Sequence, residues 1–523
     1  MTRPYHRLRH TVYGSAAVAS SQPLATAAGL HALRSGGNAL DAALATAITL
    51  TVVEPSSNGL GSDAFTIIHK DGKLHALNGS GRSPSRWTPD RFAGLDEFPL
   101  FGPDSVTVPG VVHAWATAHQ RFGKLPFADL FQDAIRHARD GFPVGPITAA
   151  AWARGADRYS QRPDWSSTFL TNGKPPTAGQ RFAMPDHART LETIAKDHGQ
   201  SFYQGELAQR IAAHIQAEGG ALHADDLAAH QSDWVDTIHT TAFDRTLHEL
   251  PPNGQGIAAL IALGIARNLP LADLDPDCPD AIHLQAEAIR LAFADLHTHV
   301  SDPNTAHIDT RQLLDPDYLK QRAAQVNPRK AGDPAPGIPR RGGTIYCCAA
   351  DNQGMMVSWI QSNFWGFGSG LVVPDTGIAL QNRAAGFTLE PGHANQAAPA
   401  KRPFHTIIPG FITNNHQPEA AFGVMGGSFQ TQGHLQVFLR RYLWKQDLQE
   451  AADAPRWMIT SSRKLALEPA WDKTTADDLT TRGHNIIELP FIYFGGAQGI
   501  FRQTDNTYAA LSDWRKEGQA AVI

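Results

Sequence analysis

Between Asn327 and Arg341 the chain is rich in proline, glycine and basic residues (Pro328, Pro334, Pro336, Pro339), the texture of an exposed linker. It runs into Gly342-Gly343-Thr344 and then into the apolar, strand-like Ile345-Tyr346-Cys347-Cys348. A strand that starts on a threonine behind two permissive glycines admits two readings. One is a turn before a strand. The other is a buried nucleophile that becomes a new N-terminus when the Gly343–Thr344 bond breaks. A threonine hydroxyl is weak and needs a base. A free α-amine, titrating near pKa ~8, supplies one. Gly342 and Gly343 would tolerate the backbone geometry of attack by the Thr344 hydroxyl on the Gly343 carbonyl.

The linker divides two textures. Upstream, Leu24–Leu33 has helical spacing ended by Ser35-Gly36-Gly37, and Asn38 can cap a second helix, Leu40 to about Val53, that is apolar all round and so buried. A glycine-rich loop, Glu54 to Asp63, leads to a β-hairpin, Phe65–His69 and Leu74–Leu77, turning at Asp71-Gly72. From about Val111 to Leu269 the pattern is mostly helical, and a further helix covers Ala281 to about Leu296. Downstream, strands are expected at Thr344–Ala350, Met355–Gln361, His405–Ile408 and Ala420–Val424, with helices near Gln432–Trp444 and Thr474–Arg482. Mixed α and β layers in one unit follow.

With 42% hydrophobic and 18% charged residues, the 523-residue chain is globular, and a net charge of −5 makes nucleic acid a poor partner. Three cysteines (Cys278, Cys347, Cys348) exclude a disulfide framework and read as small core residues. The basic N-terminus has no apolar segment behind it, and no window is long enough to span a membrane, so a cytoplasmic location is the default expectation. No His-Glu-x-x-His or Cys-x-x-Cys spacing supports a metal hydrolase, although His297-Thr298-His299 is a tempting pair. Gly366-Phe367-Gly368-Ser369-Gly370 is not a phosphate loop. A non-enzymatic binding protein with a decayed site is the remaining rival.

Other stretches could do chemistry. The glycines of Met425-Gly426-Gly427-Ser428 can offer backbone N–H groups to an oxyanion, or simply turn a strand into a helix. His405 and Thr406 open an apolar strand after Lys401-Arg402-Pro403. Arg82, in a glycine-serine loop, could hold a carboxylate or lie on the surface.

Taken in order, these stretches resemble the γ-glutamyltransferase family of N-terminal-nucleophile hydrolases. The resemblance includes Gly36–Ala43, Glu54–Phe65, Val106-Thr107-Val108-Pro109-Gly110, Ala138–Phe142, the Thr344 region, Lys401-Arg402-Pro403 and Gly426-Gly427-Ser428. It implies an α+β fold, an αββα sandwich. It also implies a precursor cut into a large subunit, residues 1–343, and a small one, residues 344–523, possibly as a dimer of such pairs, with no metal or organic cofactor. Thr344 is then nucleophile and base, Gly426 and Gly427 form the oxyanion hole, and His405 and Thr406 fall where the family's transferases place paired serines on the substrate carboxylate.

Departures from the family bear on the substrate. The arginine after the first hairpin is displaced to Arg82, and the strand after the nucleophile hairpin reads Ile360-Gln361-Ser362-Asn363. Where the family holds the glutamyl α-amine with an aspartate, the chain reads Asn382-Arg383-Ala384-Ala385, with no carboxylate before Glu390. A pocket built from Arg82, Gln361, Ser362, Asn363, Arg383, His405 and Thr406 would suit a small carboxylate-bearing amide without an α-amine. The run Gln361–Gly370 resembles the subgroup that includes oxamate amidohydrolase. A true γ-glutamyltransferase or glutathione hydrolase, and a cephalosporin-acylase-like amidase, are the alternatives.

Overall fold

A computed structural model describes residues 9–306, 308–333, 343–461 and 463–523. Gly342, residues 334–341 of the linker and the first eight residues lie outside the described residues. Two seven-stranded sheets dominate. In the first, the order from edge to edge is Gln519–Val522, Ala17–Ser20, Gly343–Ala350, Met356–Phe364, Asp63–Lys70, Lys73–Asn78 and Asp233–Val235. In the second it is Val12–Gly14, Tyr508–Ser512, Gly496–Arg502, Gln417–Met425, Gly410–Asn414, Arg245–Glu249 and Ile238–Ala242. Every pairing within both is antiparallel.

Side-chain alternation assigns the layers. Successive residues on a strand face opposite ways, and the adjacent Cys347 and Cys348 enter different apolar clusters. Cys347 joins the cluster of the first helical layer, with the Ala39–Val53 helix. Cys348 joins Tyr346, Ile360, Phe411, Ala421 and Ile500 between the sheets. On the second sheet Ala421 faces that same interior, while Phe422 and Val424 face the helices Gly256–Ala266, Pro279–His299 and Phe429–Tyr442. The architecture is the four-layer αββα sandwich.

The buried helix is Ala39–Val53, every residue of it buried, and Asn38 closes a capping box with Asp41. Asp41 also receives the N–H groups of Lys124 and Leu125, which fix the helix start against its neighbour.

Two expectations change. The stretch taken as mostly helical contains the strands Asp233–Val235, Ile238–Ala242 and Arg245–Glu249. The last two are joined by a two-residue turn, Phe243-Asp244, with φ of +51° and +61°. Such turns normally advertise themselves with Asn or Gly, and here neither is present. His405–Ile408 is not a strand of either sheet. It makes one bridge, Gly254 to His405, and its side chains serve a buried polar cluster.

The segment that leads toward the junction is fastened at its start. Arg290 Nη2 donates to Nδ1 of His484 (3.0 Å), which puts that ring's proton on Nε2, 2.8 Å from Nδ1 of His283. His283 Nε2 then donates to the Asn327 carbonyl (2.8 Å), and Gly332 N–H donates to Glu287 (2.9 Å). His283, Glu287 and His484 form the one three-residue group among the described residues whose donor atoms cluster as metal ligands would. Both rings already use their lone pairs and protons on each other, Arg290 and Asn327, so the group reads as a hydrogen-bonded clamp. His297 and His299 are not part of it. Replacing His484 with Ala, in a chain kept whole by Thr344→Ala, is expected to lower stability at pH 7 by about 1–3 kcal/mol in urea unfolding. Burial holds His484 down to about 3. Its contribution is therefore full above about pH 6.5 and fades as pH falls toward 3, and the difference between variant and wild type should shrink on that path.

Candidate active site

Thr344 is the second residue of its strand and is 3% exposed. The register against the neighbouring strand slips between Gly343, opposite Phe364, and Ile345, opposite Gln361. An irregularity of this kind re-aims a side chain. The Thr344 hydroxyl donates to Ser362 Oγ (3.2 Å), and the Ser362 hydroxyl donates to the Gly343 carbonyl oxygen (2.6 Å). Two hydroxyls thus connect the side chain of Thr344 to the carbonyl that precedes it. Ser362 Oγ also receives the Phe364 N–H (2.8 Å), and Gln430 Nε2 donates to Thr344 Oγ1 (3.4 Å).

The second sheet delivers the Gly426-Gly427 turn to the same place. Strand Gln417–Met425 ends there and helix Phe429–Tyr442 begins. Gly426 and Gly427 take φ of +133° and +62°, a conformation that favours glycine. The Gly426 carbonyl accepts from Phe429, so the Gly427 N–H of the same trans peptide points away from the helix, the Gly427 carbonyl accepts from Gln430, and neither glycine N–H has a backbone acceptor among the described residues. Gly343, Thr344, Gly426 and Ser428 line a cavity of about 60 Å³ together with Met458, Ile492, Tyr493 and Lys516. Gln255 braces the turn, its Nε2 donating to the carbonyls of Gly427 (2.9 Å) and Thr406.

Behind Phe364 lies a dry charged cluster. The guanidinium of Arg383 stands 4.5 Å over the Phe364 ring, donates to Thr406 Oγ1 (2.9 Å) and is fully buried. Its Nε lies 3.7 Å from Asp63 Oδ2, too far for a hydrogen bond, and both Nε and Nη2 are buried without a hydrogen-bond partner among the described residues. Asp63 Oδ2 sits 3.2 Å from His405 Nε2, and Oδ1 receives the Gly81 N–H (3.2 Å). Burial pushes the Asp63 carboxyl up to about 7 even with Arg383 beside it. Burial, then Arg383 and Arg402, hold His405 well below its ordinary range, so it is neutral. Burial pulls Arg383 down to about 9, with Asp63 opposing.

The structure brings together Gly343, Thr344, Ser362, Gly426 and Gly427, and separately Arg383, His405 and Thr406 one aromatic ring away. Three residues fall elsewhere. Gln361 points to the opposite face of its strand: its amide donates to Ala47 O and Asn58 Oδ1, and its oxygen receives both Trp115 and Trp359 indole N–H groups. It is a saturated core residue. Arg82 is paired with Asp302 (2.8 Å) and the Ala400 carbonyl, and lines a different cavity of about 320 Å³ with His230, Asp226 and Arg402. Asn363 accepts from Ser62 Oγ (2.8 Å), and among the described residues its buried Nδ2 has no hydrogen-bond partner.

Asp63, Gln255 and Gln430 were not singled out as site residues. Asp63 corrects the expectation that no carboxylate lies near Arg383 before Glu390: it arrives from a strand some three hundred residues upstream, which spacing along the chain cannot reveal.

Compared with known proteins, residues 25–523 match the family model described as gamma-glutamyltranspeptidase. The oxamate amidohydrolase proenzyme of Klebsiella pneumoniae is 36% identical over 512 residues, covering 95% of this chain and 96% of that protein. The glutathione hydrolase-like YwrD proenzyme of Bacillus subtilis is 35% identical, over 97% and 98%. Among solved structures, a cephalosporin acylase from Bacillus halodurans superimposes with a TM-score of 0.95 at 43% identity, covering 100% of this chain and 98% of that one.

Proposed function

Because this chain belongs to the gamma-glutamyltranspeptidase family of N-terminal-nucleophile amide hydrolases, we propose that it cuts itself between Gly343 and Thr344 and then hydrolyses a small amide whose acyl part carries a carboxylate but no α-ammonium. The observation that carries the substrate reading is Arg383. A fully buried guanidinium with two unpartnered nitrogens is costly in a dry interior. It is suited to a ligand carboxylate, which would satisfy both nitrogens in a forked pair.

For the cut, the Thr344 hydroxyl attacks the Gly343 carbonyl carbon. The Oγ–C bond forms, the C–N bond breaks, and the hydroxyl proton reaches the departing nitrogen. Ser362, already donating to the carbonyl oxygen, stabilises the negative charge that gathers there. Water then hydrolyses the ester, leaving fragments of 343 and 523 − 343 = 180 residues. Departure of the Gly343 end frees the Ser362 hydroxyl.

For turnover, the new Thr344 amine takes the hydroxyl proton and Oγ attacks the substrate amide. The Gly426 and Gly427 N–H groups receive the oxyanion, and the amine returns the proton to the leaving nitrogen. Water, activated by the same amine, releases the acid. Ser362→Ala is expected to slow the cut by about 10²–10³-fold, the effect of losing one oxyanion donor. Turnover by protein that has matured should change much less, because its oxyanion sits on the glycine turn. A time course of precursor disappearance beside the turnover rate separates the two.

Asp63 gives the γ-glutamyl alternative one supporting feature, a carboxylate that could receive an α-ammonium. Its place beside Arg383 and His405 opposes this, since an ammonium there would face a guanidinium. Assaying matured enzyme with oxamate and with a γ-glutamyl anilide side by side tests the reading. Ammonia release from oxamate supports it. Glutamate release from the anilide with no turnover of oxamate-like amides overturns it.

A further inference from the structure

We propose that Asp63 sets the specificity of the acyl pocket as an internal counter-ion, releasing Arg383 to the substrate carboxylate by taking up a proton, so that the pocket holds one anion at a time. The inference rests on the reading above, in which Arg383 receives that carboxylate.

The geometry leaves little alternative for two anions. Asp63 and Arg383 are both fully buried, and the nearest approach, 3.7 Å to Nε, leaves the guanidinium attracted but not bonded. Nε and Nη2 are the nitrogens without partners, and Nε is the one that faces Asp63. A ligand carboxylate that takes them lies next to Asp63 Oδ2. Two carboxylates sharing one dry site cannot both stay ionised at little cost.

The other groups around Asp63 cannot absorb a second negative charge. His405 accepts the Ile407 N–H on Nδ1 (3.4 Å), so its one proton is on Nε2, directed at Asp63. Arg402 is committed to Asp233 and to the carbonyls of Ser80 and Gln231. Tyr203 gives its proton to the Pro109 carbonyl and is pushed out of reach of titration by burial. Gly81 and Gly110 offer only backbone N–H groups. The remaining group is the Thr344 amine that the cut creates.

With Asp63 lying up to about 7, the pocket is ready for an anion at pH 6 and must draw a proton at pH 8. Carboxylate affinity should then fall about tenfold from pH 6 to pH 8, the ratio of the protonated fractions.

The test is calorimetry on matured wild type and Asp63→Asn with lactate, a monoanion throughout this range that has no amide to hydrolyse, in buffers of different ionisation enthalpy. Wild type is expected to take up close to one proton per lactate at pH 8 and about a tenth at pH 6. Asp63→Asn is expected to take up none and to bind equally at both. Persistent uptake in Asp63→Asn would assign the proton to the Thr344 amine and overturn the proposal, as would pH-independent binding by wild type. Should the variant fail to mature, difference infrared spectroscopy of wild type with ¹³C-lactate reads the same event. A protonated-carboxyl band must appear on binding at pH 8, and its absence overturns the proposal. Failure of lactate and oxamate to bind at any pH would instead sink the carboxylate reading of Arg383, and this inference with it.

Discussion

Thr344→Ala is expected to leave the chain at 523 residues, where the proposed cut would give wild-type fragments of 343 and 180, and intact mass of the two purified proteins reads this directly. The variant loses the hydroxyl that donates to Ser362 and receives Gln430, and with it both the attacking oxygen and the cut that would have freed the amine base. Amidase activity should fall by at least about 10⁴-fold, as when a nucleophile is removed. Only a hydroxyl and a methyl are deleted at this buried site, so folding should survive, and circular dichroism should match wild type. Thr344→Ser keeps a hydroxyl and should still be cut, more slowly. An uncut wild-type chain would move the non-enzymatic reading to the front.

The second large effect belongs to Arg383. Arg383→Ala removes the donor to Thr406 Oγ1 and the cation over Phe364, and leaves Asp63 with His405 and the Gly81 N–H. Truncating one partner of a buried charge pair costs about 2–5 kcal/mol. The expected loss in kcat/KM for a carboxylate-bearing amide is therefore roughly 30-fold to several thousand-fold, carried mainly by KM. An amide without the carboxylate should lose much less. Asp63, relieved of its cation, rises further and is neutral at pH 7, so the variant keeps a buried acid and not a buried charge. Equal losses for both kinds of amide would remove Arg383 from the acyl pocket.

Much of this was legible before any coordinates. The capped helix at Asn38, the hairpin at Asp71-Gly72 and the strands either side of Gly354 each carry a local signal: a cap, a turn pair, an apolar run. Gly343-Thr344 and Gly426-Gly427 were legible as separate motifs. That inner strands of two different sheets would set them around one cavity was not. The hairpin at Phe243-Asp244 was invisible because its turn lacks the usual residues. Gln361 looked like a pocket residue because polar side chains in strands often serve function, yet two indoles, a carbonyl and Asn58 consume it inside the core. Arg82 failed for the opposite reason, with its partner Asp302 some 220 positions away. Asp63 and Arg383 meet across 320 positions, and their coupling is a property of the fold alone.

The strand order has a consequence for how the protein can be taken apart. Ala17–Ser20, from the proposed large fragment, is flanked on both sides by strands of the small one, Gln519–Val522 and Gly343–Ala350. Arg245–Glu249 and Ile238–Ala242 extend the other sheet from Gly410–Asn414 in the same interleaved way. Neither fragment owns a complete sheet. Before the cut, refolding is a one-chain process; after it, two partial chains must find each other with unpaired strand edges exposed to aggregation. Denaturant should therefore be reversible for Thr344→Ala and irreversible, or steeply concentration-dependent, for the matured protein. The proposed cut would fix a shape that the mature pair keeps for as long as it stays folded, and cannot readily make again.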